Sequence, residues 1–419
     1  MFICYYSVMS MKIVIEKIVA GGDGMGKING KNVFVPYSIP GEELNVEITK
    51  SYRDYDVAKI VEVLKPSPHR VVPFCPMYGI CGGCNMQHID SAYQVEIRKQ
   101  ILADCFEREG LKVPEIQVVS GSDRGYRARI QLTDGGFNEK DSNKIVPINE
   151  CPILTEEINE YLKNTPFNDR PHGRVHVFGD ERVAMENKVI VANETKKRSD
   201  DIQIVGAGNS RKSKVKAKKN LYFKGTSGVT DNVCSIKIGD KNISFDVLGF
   251  FQSNPEVLEK TVDVICDNMG GKNVLDMYAG CGTFSVFLSD IFEKTTLVEH
   301  NRDAIVFAER NLVGTNHESY GQSGEKWVKQ NASLVMQQIG SFDAVVIDPP
   351  RQGIEKAVCQ WLCEHKTGQI RSVSCNPSTH ARDARYLVQS GYILSKLFLL
   401  DFYPQTSHIE SLAFFENYA

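Results

Sequence analysis

The chain has 419 residues, of which 42% are hydrophobic, 9% aromatic and 24% charged. That is enough for two or three domains with full cores; it excludes a disordered or collagen-like chain, and no stretch reaches the ~18 apolar residues of a membrane span. Net charge is −3, from 49 basic and 52 acidic residues, and gives no global sign of a nucleic-acid partner, while twelve cysteines without an export signal favour metal or thiol chemistry over a disulfide scaffold.

The opening MFICYYSVM is apolar but lacks the basic start and small-residue cleavage site of a signal peptide. A cytoplasmic protein is expected, with Met9 or Met11 as alternative starts. Residues 11–64 alternate apolar and polar side chains between Gly/Pro-rich breaks such as GGDGMGKING. That pattern predicts a small β-barrel, with Pro66 and Pro68 marking a boundary near 68. Residues 69–90 hold Cys75, Cys81 and Cys84, then His88. SAYQVEIRKQILADCFEREG, residues 91–110, has helical spacing and a C-terminal glycine. From about 116 to 248 the texture is mostly strand-like, interrupted by a polar stretch. Within it, 209–224 carries seven basic residues and no acidic one. From 257, helical segments alternate with short apolar strands (NVLDMYAG, TTLVEH, FDAVVIDPP, QIRSVSCNP, ILSKLFLLDFYP, SLAFFEN). Such alternation predicts a doubly wound α/β domain.

The run Asp276-Met-Tyr-Ala-Gly280-Cys-Gly282 lies between a strand and a helix. Glycines there let the backbone turn tightly beside a ligand. The third glycine of a dinucleotide site is missing, and so is the Gly-Lys-Ser/Thr of a phosphate loop. What remains fits a nucleoside without pyrophosphate. Glu299 closes the next strand, 17 residues after Gly282, where an acid can accept from both ribose hydroxyls.

LDMYAGCGTF, IDPPRQG, SCNPSTHARD, HIES and GFFQSN, in these positions, resemble the RNA (uracil-5-)-methyltransferases. These are class I S-adenosylmethionine-dependent enzymes that make 5-methyluridine. The resemblance covers nearly the whole chain. It implies that Gln252, Tyr278, Glu299 and Asp348 bind S-adenosylmethionine, beside Asp276, Gly280 and Gly282 of the turn. Carbon 5 of uracil is a poor nucleophile, and a thiolate added at carbon 6 makes it enolate-like. A base must then take the C5 proton. Cys375, after an apolar strand at the sheet's ligand-binding edge, matches the family's nucleophile. Glu410, in SHIESLAFF, matches its proton acceptor by position alone. Asp348-Pro-Pro-Arg351 has Arg where amino-group methyltransferases carry an aromatic residue, which favours carbon-directed chemistry.

Three close cysteines with glycines between them can wrap a metal centre, and a fourth ligand is then needed. Cys151 fits the family's fourth. The resemblance implies a [4Fe–4S] cluster on Cys75, Cys81, Cys84 and Cys151; by spacing alone zinc suits the set equally. His88 is read as a structural residue. GGDGMGK and VFVPYSIPGE resemble a TRAM domain, an RNA-binding module of oligonucleotide-binding type. Tyr126, Arg127 and Arg129 group an aromatic with two arginines suited to RNA, and the 209–224 run could follow a backbone.

The expected architecture is therefore a TRAM barrel (11–68), a central α+β iron–sulfur domain (69–250) and a Rossmann-like methyltransferase domain (251–419). The helix at 91–110 is left free to pack on the catalytic domain. The expected protein is a monomer acting on an unpaired, flipped-out uridine. Family members with both barrel and cluster mostly modify 23S ribosomal RNA; some relatives modify transfer RNA. A non-catalytic RNA-binding or chaperone protein is the alternative from another class. A radical methylthiotransferase is a third, but its cluster pattern is absent.

Overall fold

The computed structural model describes residues 10–194 and 232–417. The opening MFICYYSVM and the basic run 209–224 lie outside the described residues. Six strands come first: β1 (Met11–Val14), β2 (Lys17–Ile18), β3 (Gly24–Ile28), β4 (Lys31–Val35), β5 (Glu43–Ser51) and β6 (Tyr55–Lys65). They form one sheet in the order β1-β5-β6-β4-β3-β2. Ile13, Ile15, Val33, Val35, Leu44 and Val46 pack on one another inside it, as period-two alternation dictates. At Gly26 an added Cβ would stand 2.2 Å from Val14 O, so a side chain there would drive β3 off β1. Glu42, fully buried, ties the barrel to the next segment. It accepts from Arg70 Nε (2.5 Å) and Nη2 (2.7 Å) and from the Ile39 and Ser67 N–H groups. Burial pushes its carboxyl up, but these donors outweigh burial and hold it below its ordinary range.

The helix α1 (Ser91–Arg108) starts on Asp90, whose side chain accepts the Tyr93 N–H. It ends with Gly110 at φ +76, the left-handed glycine the sequence predicts. After β7 (Ile116–Val119) come β8 (Arg129–Thr133), a ribbon of β9 (Phe137–Asn138) and β10 (Ile145–Val146), α2 (Glu156–Asn164), β11 (Arg174–Gly179) and β12 (Val189–Asn193). Strands β12, β11 and β8 form an antiparallel sheet under α2. The strand-like reading of this stretch misses α2, whose buried residues are only Ile158 and Leu162, one turn apart. A hairpin of β13 (Val233–Ile238) and β14 (Lys241–Asp246) follows.

The remainder comprises α3 (Pro255–Cys266), β15 (Gly271–Met277), α4 (Thr283–Ile291), β16 (Phe292–Val298), α5 (Arg302–Asn311) and β17 (His317–Tyr320). Next come α6 (Gly324–Trp327), α7 (Ser333–Ile339), β18 (Ala344–Ile347), α8 (Lys356–His365), β19 (Gln369–Ser374), α9 (Pro377–Gln389), β20 (Ile393–Leu400) and β21 (Glu410–Glu416). The large sheet runs β17-β16-β15-β18-β19-β21-β20-β7, with β21 antiparallel to both neighbours. Successive residues face opposite cores: Val345 and Ile347 join α1, α8 and α9, while Ala344 and Val346 join α3, α4 and the hairpin. The edge strand β7 comes from the segment read as central, and pairs parallel with β20. Four residues, IQVV, cannot declare their partner by composition.

Arg98 and Asp401 are 1% and 7% exposed and pair bidentately, at 2.6 and 3.2 Å. Removing one partner strands a buried charge. Arg98→Met is expected to cost about 3–5 kcal/mol, read from urea unfolding. Among the described residues, no helix is long and apolar enough to cross a membrane.

Candidate active site

The parallel strands end along one edge, and the motif residues meet there. After β15 the chain turns through Tyr278 (φ +68), Gly280 (φ +57) and Gly282 (φ +79), which opens α4. A Cβ at Gly282 would press on Ala308, 3.1 Å away, while Gly280 faces open space. Glu299, at the end of β16, accepts the Gly280 N–H (2.9 Å) and the Asn301 N–H (2.6 Å). The acid thereby clamps the turn and keeps lone pairs for a ligand. Tyr278 donates to Glu355 (3.3 Å). Gln252 carries a buried Oε1 without a partner. The bare turn, the anchored acid and the orphan amide fit a nucleoside such as that of S-adenosylmethionine. Asp276 lies beneath the turn: it is fully buried and accepts from Ser285 Oγ (2.5 Å).

Register brings Cys375 and Glu410 together. Strands β19 and β21 pair antiparallel with Ser374 opposite Ser411. One step beyond, Cys375 leaves β19 and Glu410 enters β21. Cys375 is exposed and Glu410 is buried. His380, from α9, stands 2.7 Å from Ser411 Oγ through Nδ1 and ties β21 to α9. Burial and then Asp348 push the Glu410 carboxyl up to about 8, against the pull of Arg351. Asp348 is raised to about 7 by burial and by Asp276 and Glu299; Asp276 reaches about 7 through burial, with Glu299 adding to it. Burial, Glu410 and Asp348 raise the Cys375 thiol, and Arg351 lowers it. Arg351 is thus the cation that favours the thiolate. Tyr403 sits by the same groups: burial, then Glu410, raise its hydroxyl to about 12.

Cys75, Cys81, Cys84 and Cys151 line one cavity of about 640 Å³ with Arg127, Ser407 and His408. Among the described residues no three His, Cys, Asp or Glu side chains are set to grip one ion. Burial, and then neighbouring thiols of the set, push Cys84 to about 11 and Cys151 to about 12. Four thiols lining one half-buried cavity are a donor set suited to a soft metal centre. His88 does not line it. It meets Tyr78 Oη through Nδ1 at 2.7 Å, and burial depresses it to about 4.

Residues 180–418 match the family model described as tRNA (Uracil-5-)-methyltransferase. Residues 11–69 match the TRAM domain of tRNA (uracil(54)-C(5))-methyltransferase. The chain belongs to the tRNA (uracil-5-)-methyltransferase family. It is 34% identical to an uncharacterized RNA methyltransferase of Treponema denticola, over 96% of this chain and 98% of that one. It is 30% identical to the 23S rRNA (uracil(1939)-C(5))-methyltransferase of Acinetobacter baylyi, over 93% and 90%. Among solved structures it resembles the Pyrococcus abyssi tRNA (uracil-54, C5)-methyltransferase in complex with S-adenosyl-L-homocysteine. That likeness has TM-score 0.69 and 26% identity, and covers 97% of this chain and 100% of that one. This uracil-5-methyltransferase is an S-adenosylmethionine-dependent enzyme acting on carbon 5 of uridine in RNA, and its N-terminal barrel is a TRAM domain.

The residues read as an RNA face divide in this family member. Tyr126 is 4% exposed and donates to Pro404 O (2.8 Å), so its ring is packing, not a stacking surface. Arg129 is turned inward, donating to Gly249 O (2.5 Å), and burial lowers its pKa. Arg127 alone of the three lines the cysteine cavity, with its guanidinium 6.0 Å from the Tyr403 ring. Sequence reasoning passed over Tyr403 and its loop by extending the strand through DFYP. Pro404 was the available sign that the strand stops.

Proposed function

We propose that this enzyme methylates one unpaired uridine of 23S ribosomal RNA, with Cys375 as nucleophile and Glu410 as proton acceptor. The β19–β21 register, which sets these side chains beside each other at the ligand-binding edge, carries the reading. The Cys375 thiolate adds to C6 of the uracil, and its electrons make C5 nucleophilic. S-adenosylmethionine, held by Gln252, Tyr278, Glu299 and Asp348, supplies the methyl group. Glu410 then takes the C5 proton, the C5–C6 double bond re-forms and the thiolate leaves. The uridine must leave its stack to reach Cys375, which costs least for an unpaired base. Three units divide the work: the barrel (11–68), a central part (69–250) and the methyltransferase part (251–419). Arg127, between the cavity and Tyr403, meets the RNA backbone or a base. Cys75, Cys81, Cys84 and Cys151 would hold a [4Fe–4S] cluster, which would supply a structural or RNA-positioning centre.

Ribosomal RNA is favoured by relatives matched nearly end to end. Transfer RNA is the second reading, favoured by the Pyrococcus abyssi enzyme. Methyl transfer onto each RNA, with mass-spectrometric mapping of 5-methyluridine, tests them. Product in transfer RNA alone rejects the first reading.

Glu410 acts as the carboxylate, and its pKa is raised to about 8. Its active form is therefore lost as pH falls through that value. Adduct breakdown is expected to slow about tenfold per pH unit below about 8 in single-turnover experiments. A flat profile down to about pH 6 would remove Glu410 from the role.

A further inference from the structure

Loop 401–409, which delivers Glu410 from β20, is held by other parts of the chain. Asn85, next to Cys84, accepts the Ser407 N–H through Oδ1 (2.9 Å). Its Nδ2 donates to Ser407 Oγ (3.0 Å) and to Gly21 O in the barrel (2.8 Å). The Asn85 and Met86 N–H groups both donate to Gln405 O, at 3.2 and 3.0 Å. Gln405 is 2% exposed and sits at φ +69, a left-handed conformation a side chain keeps only when its surroundings over-determine it. They do: its N–H donates to Gln94 Oε1 (2.9 Å) and its Oε1 accepts from Gln94 Nε2 (2.9 Å). Its Nε2 donates to Asp123 (3.2 Å) and Ser91 (3.3 Å). From the barrel side Gly22, at φ +92, comes so close that an added Cβ would lie 2.7 Å from Asn85 Nδ2 and 2.8 Å from Ser407 Cβ.

Cys375 has separate supports. Asn376 donates to Arg351 O (3.1 Å), and its N–H donates to Ser374 Oγ (3.2 Å). The barrel turn and the cysteine segment therefore converge on the base's loop, and other contacts fix the nucleophile.

We propose that Asn85 and Gln405 are positioning residues for proton removal, coupling the barrel and the cysteine segment to the placement of Glu410. The proposal rests on Glu410 being the proton acceptor. A displaced base slows only the last chemical step. There the C5–H bond breaks toward the carboxylate, the C5–C6 double bond re-forms and the C6–S bond breaks. Thiolate addition is untouched.

The test uses full-length Asn85→Ala with uridine RNA and methyl donor, resolved on denaturing gels. Covalent protein–RNA adduct is expected to accumulate while turnover falls about 10²-fold, the scale of a misplaced reacting group. Trapping by 5-fluorouridine RNA is expected at the wild-type rate, which also shows that the variant is folded. Asn85→Asp keeps the acceptor for the Ser407 N–H and recovers part of the turnover. Gly22→Ala disturbs the same junction from the barrel and gives the same division. Wild-type turnover without adduct overturns the proposal. So does joint loss of turnover and 5-fluorouridine trapping in both Asn85→Ala and Gly22→Ala, the mark of a general defect. Glu410→Gln, run alongside, separates the two claims. If it traps adduct and Asn85→Ala does not, the coupling falls and the base assignment stands. If it traps none, the base assignment falls and the coupling with it.

Discussion

Cys375→Ala is expected to abolish methyl transfer, with a loss on the order of 10⁶-fold, the scale reached when a covalent nucleophile is deleted. Among the described residues, Cys281 is buried within the turn, and Cys75, Cys81, Cys84 and Cys151 line a cavity that does not include Cys375. Because Cys375 is exposed at the end of β19, removing its sulfur leaves no core cavity, and the melting temperature should stay near wild type. RNA binding should likewise persist, measured by filter retention. Methyl transfer at wild-type rate by Cys375→Ala would end the covalent scheme.

Glu410→Gln is the complementary experiment, and its signature differs. Glutamine keeps the size and accepts no proton. Thiolate addition and methyl transfer proceed, and release stalls. Turnover is expected to fall about 10²–10⁴-fold, the range of a general base. A methylated protein–RNA adduct should survive denaturing electrophoresis. Burial of Glu410 gives a second expectation. The wild-type residue is a carboxyl pushed up to about 8, chiefly by burial, so the fold holds it protonated at neutral pH against its ordinary ionisation, a cost that glutamine does not carry. The variant should unfold no more easily than wild type. Lost turnover with no adduct at any time point would place proton removal elsewhere.

The chemistry was more legible in the sequence than its scaffolding was. Tyr278, Glu299, Asp348 and Cys375 each follow a short apolar strand, and strands of a doubly wound sheet present their ends along one edge. Local pattern therefore sets each residue at that edge. It could not carry relations between distant segments. Tyr126 beside two arginines has the composition of an RNA face, yet it is buried and its hydroxyl donates to Pro404 O, in the loop before β21. In α2, the run EEINEYLKN sets Ile158, Tyr161 and Leu162 at i, i+3 and i+4, but nine residues flanked by strand-like stretches give that period little length in which to stand out. Asn85, Gln94 and Gln405 are unremarkable polar residues along the chain. Only their pairing across more than three hundred residues gives them meaning.

During synthesis, β7 and α1 emerge long before the strand that completes them. Ile116 pairs with Leu397, and Arg98 with Asp401. The nascent chain thus carries an open strand edge and a lone buried-to-be arginine until its last segment leaves the ribosome. Long-range closures of this kind fold late and leave sticky edges exposed meanwhile. A chain stopped short of residue 393 lacks the closing strand altogether, so premature termination yields an aggregation-prone product rather than a smaller working enzyme. The catalytic part is for the same reason no transferable cassette: cut at 251, it leaves its own edge strand behind.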